Sequence, residues 1–189
     1  MFEHLPVHWI RNGQREIFYG QAQPGEFYVF QIGLYAAGGD VKDLDMIFDS
    51  LRSGSGPEIP SCAFRCFNLG GVDATGVQFK SSVSVEHGKV QPLWIGVQIP
   101  SDAKGAYAGT LQILPKNGGA RKVKVALKVS GSVLLDSGDS ELWRMSRLRW
   151  LDSTIAQDDE VTSPYTPLQR RDRTIACLGR EVQFGKTGL

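Results

Sequence analysis

Polar and apolar positions alternate over most of the first 130 residues, and the alternation predicts strands. Residues 26–37 (EFYVFQIGLYAA) are aromatic and β-branched with apolar side chains on both faces, which predicts a centrally buried strand closed by Gly38-Gly39-Asp40. Residues 41–49 place Leu44, Met46 and Phe48 on one side. A polar Gly/Pro/Ser loop at 52–60 leads to a strand over 61–67 and a Gly-rich connection, Asn68-Leu69-Gly70-Gly71-Val72-Asp73. Residues 77–86 alternate again, from Val77 and Phe79 to Val83 and Val85. In residues 90–99, Leu93, Ile95, Val97 and Ile99 share one face and Trp94, Gly96 and Gln98 the other. Tyr107, Gly109, Leu111 and Ile113 form the next apolar face. Asn117-Gly118-Gly119 is a hairpin signal. The strand that returns sets Val123, Val125, Leu127 and Val129 against Lys122, Lys124 and Lys128. About seven or eight short strands, with no helical segment between Tyr28 and Ser130, predict a sandwich rather than a βα fold.

After Gly131 the pattern changes. Leu142, Met145, Leu148 and Leu151 recur every third residue, behind the capping candidates Asp136-Ser137-Gly138-Asp139-Ser140. This predicts a short helix at about 140–151 whose apolar positions drift around an α-helical surface. Residues 158–167 (DDEVTSPYTP) are loop-like, and residues 174–184 (TIACLGREVQF) predict a hairpin turning near Gly179. The expected organisation is a mainly β chain: an antiparallel β-sandwich over 1–131, a linker over 132–170 carrying the short helix, and over 171–189 a β-hairpin or the opening of a second β domain. A stop at Gly188-Leu189, just past a hairpin, reads as truncation.

Composition narrows the function classes. The 189 residues are 41% apolar and 22% charged, a globular balance. Twenty-one basic against twenty acidic side chains leave a net charge of +1, unlike the basic excess of a nucleic-acid binder or a polybasic membrane anchor. No apolar run is long enough to span a bilayer. The start, Met1-Phe2-Glu3-His4-Leu5-Pro6, has an acid where a signal peptide needs bases. Asn12, Asn68 and Asn117 lack the Ser or Thr of a glycosylation acceptor.

Few residues group into chemistry. Asp158-Asp159-Glu160 is the one carboxylate run, but glycoside hydrolysis needs two carboxyl groups held across one bond by a rigid scaffold, and this run lies in a Pro-rich loop. Cys62, Cys66 and Cys177 with His4, His8 and His87 lack zinc-module spacing. Pro6 breaks any helix that would join His4 to His8. On a strand, Cys62 and Cys66 stand about 13 Å apart, too far to bond; a bridge from either to Cys177 is open if the protein is exported. There is no nucleophile elbow, P-loop or dinucleotide fingerprint. His87 has no nucleophile partner, and Arg170-Arg171-Asp172-Arg173 reads as a solvated patch. No catalytic residue, cofactor or metal site is expected. Among the tryptophans, Trp94 stands opposite the aliphatic face of its strand and is the candidate for an exposed, sugar-stacking ring.

Residues 67–73 (FNLGGVD), 90–103 (VQPLWIGVQIPSDA) running on through 105–110 (GAYAGT), and 142–155 (LWRMSRLRWLDSTI) together resemble the non-catalytic N-terminal β region of proteins similar to glycoside hydrolase family 123. The strand–turn–strand pattern is generic among β-sandwich modules of carbohydrate-active enzymes; the third stretch, with DDEV and PYTPL after it, is the more particular match. The resemblance covers most of residues 25–189. It implies catalytic carboxylates in a (β/α)-barrel that follows this region, and it carries no catalytic residue onto this sequence, Asp158-Asp159-Glu160 included. Such proteins are usually exported. The expected function is therefore a non-catalytic accessory domain that packs against or positions a catalytic barrel, with Trp143, Leu148 and Trp150 as its docking surface. The alternative is a carbohydrate-binding module acting on a glycan through Trp94. Neither nucleic acid nor membrane is an expected partner.

Overall fold

Inward positions that are β-branched or aliphatic, and outward ones that are polar, give each strand one face to bury. A computed structural model, which describes residues 7–13, 15–54, 56–153, 160–161 and 164–186, places most strands of the first 130 residues in two stacked sheets, with residues 70–72 and 78–80 as a separate antiparallel pair. A short helix α1 (Val7–Asn12) comes first, beginning just after Pro6. Then follow β1 (Ile17–Ala22), β2 (Phe27–Tyr35), β3 (Leu44–Phe48), β4 (Arg52–Ser53), β5 (Phe64–Cys66), β6 (Gly70–Val72), β7 (Gln78–Lys80), β8 (Val90–Gln98), β9 (Gly105–Pro115) and β10 (Arg121–Val129). After two 3-10 segments, Leu135–Gly138 and Met145–Asp152, come β11 (Gln169–Arg171), β12 (Thr174–Cys177) and β13 (Arg180–Gln183).

The larger sheet has the order β1-β10-β9-β3, with β4 also paired to β9; the smaller has the order β2-β8-β5. Every pair is antiparallel except β1, which runs parallel to β10 in the register Ile17↔Lys124 to Ala22↔Val129. One apolar core fills the space between the sheets. It takes Phe30, Leu93, Ile95 and Val97 from the smaller sheet and Leu111, Ile113, Val125, Leu127 and Val129 from the larger. Phe18 stacks on Phe30 and Phe48 on Phe64 across the gap. The mainly β, sandwich-like reading of the pattern therefore holds.

Four details differ from the sequence reading. Strand β2 is an edge strand, paired only with β8; the apolar residues on its second face meet a chain segment that crosses the sheet. Residues 61–63 form a 3-10 turn before β5 begins. Of residues 77–86 only Gln78–Lys80 is a strand, while Val85 makes a single bridge to Val41. The helix expected from about 140 is a 3-10 segment over Met145–Asp152.

By compactness the chain forms two units, Met1–Ser153 and Thr154–Leu189. In the second, the hairpin β12–β13 is joined by β11 into a three-stranded antiparallel sheet. Leu178 and Gly179 both take positive φ at the hairpin turn.

Candidate docking surface

Residues 135–152 run as a strap over the outer face of the smaller sheet, packing on β2, β8 and β6. The repeat of three explains how. A 3-10 helix has three residues per turn, so positions i and i+3 eclipse. Ser146, Arg149 and Asp152 form the row that faces the protein: Ser146 is buried and the Asp152 side chain nearly so. Met145 and Leu151 belong to a second row and are exposed, with Leu148 half-buried between them; Leu142, in the turn before the segment, is exposed too.

Three guanidinium–carboxylate clasps order the strap: two tie it to the strands beneath, and one closes within it. Glu26, only 4% exposed, sits just before β2. Its Oε2 accepts the Gln23 amide at 2.7 Å, and its Oε1 meets Arg144 Nη1 at 2.7 Å. Arg144 Nε donates to Glu141 at 2.8 Å, and Nη2 to the Gln23 side-chain carbonyl. Burial alone would lower the Arg144 pKa, but the bonds to Glu141 and Glu26 outweigh it and raise the group above its ordinary value. In the second clasp, Asp139 accepts Arg149 Nε at 2.7 Å and the Trp150 indole N–H at 3.0 Å. Burial pushes the Asp139 carboxyl up, yet the hydrogen bonds from Arg149 and Trp150 prevail and hold it below the usual carboxylate range. In the third, Asp152 pairs with Arg65 of β5 and accepts the Val72 amide at 2.8 Å. Burial lowers the Arg65 pKa.

An apolar layer lies on this same outer face, apart from the main core. Phe27 is buried and meets Phe67 edge-on at 6.2 Å, with the Arg65 cation 5.2 Å from the Phe67 ring. Gly96 lies between the two rings: a Cβ there would stand 2.5 Å from Phe27 and 3.0 Å from Phe67. Where the strap begins, Gly25 has φ +78°, and a Cβ would stand 2.5 Å from the Leu134 carbonyl oxygen.

Of the docking residues read from the sequence, Trp143 is 72% exposed and Trp150 56%. Each is pinned on one side. The Arg144 guanidinium lies 4.1 Å from the Trp143 ring centre, and Trp150 is tied through its N–H to Asp139. Exposed Leu142, Met145 and Leu151 extend the patch; the three-residue spacing was their signal, since one row of a 3-10 helix is a stripe. The Glu26–Arg144 and Arg65–Asp152 clasps escaped sequence reading because their partners lie far apart in the chain. Trp94 is half-buried on β8 opposite Gln31, and its amide donates to Asn68 Oδ1 at 2.7 Å.

The remaining candidates stand apart. Cys62 is exposed, Cys66 buried and Cys177 intermediate, and all three are free thiols; burial pushes the Cys66 thiol up. The His87 ring lies 3.1 Å from the Ala37 carbonyl oxygen, and its amide donates to Asp40. His4, Asp158 and Asp159 lie outside the described residues, and Glu160 is exposed. Arg170 and Arg171 are exposed on β11. Among the described residues no group of three His, Cys, Asp or Glu could hold a metal ion. No described helix is long and apolar enough to cross a membrane.

The fold has solved counterparts. It is similar to part of a family 123 glycoside hydrolase from Clostridium perfringens, over 67% of this chain and 24% of that one, at 15% identity and a TM-score of 0.53. The matched part of this chain thus spans about a quarter of that enzyme's length. An ASH/PapD-like domain of human CEP192 aligns over 63% of this chain and 84% of its own, at 17% identity and a TM-score of 0.41. The periplasmic chaperone SfaE aligns over 64% and 57%, at 12% identity and 0.34. No family model and no curated protein matches the sequence. The likeness to the family 123 enzyme is one of fold.

Proposed function

We propose that this chain is a non-catalytic accessory β-sandwich domain of a glycoside-hydrolase-like protein, and that the strap's outer row packs against a catalytic barrel. The observation that carries the reading is the contrast within the strap. Two clasps tie it down and a third stiffens it from within, yet it turns Leu142, Trp143, Met145, Trp150 and Leu151 to solvent. Several large apolar side chains clustered on a fixed segment mark a contact site rather than ordinary surface. The likeness to about a quarter of a family 123 enzyme supports the same reading. In this role the residues act through shape and apolar contact, with no bond chemistry of their own.

The test is the intact mass of the native gene product together with an assay of the 189-residue chain. A mass well above 20.7 kDa and no hydrolysis of aryl glycosides by the chain alone are expected. A native product at 20.7 kDa, or turnover abolished by Asp159→Ala, overturns the proposal.

The second reading is a carbohydrate-binding module at Trp94. It is favoured by the exposed Gln31, Gly33 and Tyr35 that share the outward face beside it. Trp94→Ala should then remove glycan affinity at an unchanged melting temperature. Unfolding of that variant defeats the idea.

A further inference from the structure

The outer face of the larger sheet, on the far side of the sandwich from the strap, carries a second organised surface. Strand register builds it. Tyr19 of β1 stands opposite Ala126 of β10, Ala126 opposite Ala108 of β9, and Ala108 opposite Arg52 of β4. This is one straight row across four strands, about 14 Å long at the usual strand spacing. Its ends are an aromatic ring, 72% exposed, and a guanidinium; its middle is a floor of two alanines. Lys124 and Lys128 lie two residues to either side of Ala126, on the same face by alternation, about 7 Å from it. Both are exposed, and neither has an ion-pair partner among the described residues. Lys122 continues the line along β10.

Next to Ala108, where the sheet edge passes from β3 to β4, an open groove of about 500 Å³ extends the floor. Asp49, Ser50 and Ser61 line it with Arg52, whose Nε is 3.8 Å from Glu58 in an exposed, weak pair. The result is a shallow trough with a small-residue floor, a lysine on each side, an aromatic ring at one end and, at the other, Arg52 among the carboxylates of Asp49 and Glu58.

We propose that this trough binds an acidic polysaccharide. Charge complementarity makes the ligand anionic, and spacing selects among anions. A nucleic acid presents a charge every few ångströms, and its sequence-independent binding rests on neutralising many of them. An anionic membrane is held by clusters of about 4–8 basic residues flanking an apolar anchor. Here the cations are few and stand about 7–14 Å apart, so they meet every second or third carboxylate of a chain of uronic acids and leave the sugars between to the floor. The alanine floor leaves room for the sugar ring, and Tyr19 offers a ring face to its apolar side. The groove's serines supply hydroxyl partners and Arg52 a fork for one carboxylate.

Affinity electrophoresis of the 189-residue chain in native gels containing polygalacturonate tests this, with dextran as the neutral control. Polygalacturonate should retard the chain and dextran should not, the retardation weakening as salt rises. Lys124→Gln with Lys128→Gln should cut affinity by about tenfold or more, and Tyr19→Ala by about fivefold, at unchanged melting temperature because all three side chains are exposed. Arg52→Glu should weaken binding independently of that pair. Absence of retardation at low salt overturns the proposal. So do equal retardation by dextran, tighter binding to an oligothymidylate or to phosphatidylserine vesicles, and a lysine double variant that binds like the parent chain. Trp94→Ala and Trp143→Ser should leave retardation intact, so this test and those of the strap and the Trp94 face fail separately.

Discussion

The two faces of strand β8 are buried by different physics. Its inward side chains, Leu93, Ile95 and Val97, are wholly enclosed among aliphatic and aromatic neighbours from both sheets. Its outward side, around Gly96, is enclosed by Phe27, Phe67 and a strap that hydrogen bonds and ion pairs hold down. The inner contact is non-directional and tolerates apolar exchange. The outer one depends on a few charged groups meeting at set angles, which holds the segment in one orientation.

That comparison can be broken at either face. Leu93→Ala and Arg144→Ala should each cost about 3–5 kcal/mol, measured by urea unfolding, the first through a cavity and the second by stranding Glu26 as a buried charge. Adding Glu26→Gln should restore part of the Arg144→Ala loss and none of the Leu93→Ala loss. Equal effects on both variants would erase the distinction between the faces.

Gly96→Ala comes next. Its new methyl meets two enclosed rings, and a loss of about 1–3 kcal/mol is expected in the same assay. A neutral result would mean that the layer beneath the strap is loosely packed.

Acid acts on the strap through Asp139. Its folded-state pKa lies below the unfolded one, so its contribution is fully present above about pH 4 and is lost as pH falls through the folded value. Emission from Trp150, which is bonded to Asp139, should change in that acid window, and Asp139→Asn should abolish the change. The smallest effect belongs to Trp143→Ser with Trp150→Ser. Stability should fall by only about 0.5–1 kcal/mol per site, the worth of an exposed cation–π contact at Trp143 and of one hydrogen bond at Trp150, while the proposed docking to a barrel should be lost.

Much of the sandwich was legible because its signals are local. Val123 to Val129 against Lys122 to Lys128 is a two-residue period, and Asn117-Gly118 marks the hairpin before it. The apolar pattern on both sides of residues 26–37 was read as a central strand; the cover on its second face is the strap, which starts about 100 residues later and whose mode of attachment no local pattern reveals. The spacing of three at 142–151 fits poorly to an α-helix for a simple reason: the segment is 3-10. Trp143 and Trp150 were identifiable as surface candidates, but Glu26–Arg144 and Arg65–Asp152 join positions that only the folded chain brings together. The same limit hid the trough, whose row Tyr19, Ala126, Ala108 and Arg52 is drawn from four separate strands.

The parallel pairing of β1 with β10 orders events at the ribosome. Ile17 finds its partner Lys124 roughly 100 residues later, so at translation speeds of about 5–20 residues per second the first strand emerges many seconds before its seat exists. During that interval its unpaired N–H and C=O groups form an open edge, accessible to any extended chain nearby. Strand β1 therefore waits longest of the sandwich strands for its pairing partner, and its pairing can be complete only once residue 129 has cleared the exit tunnel.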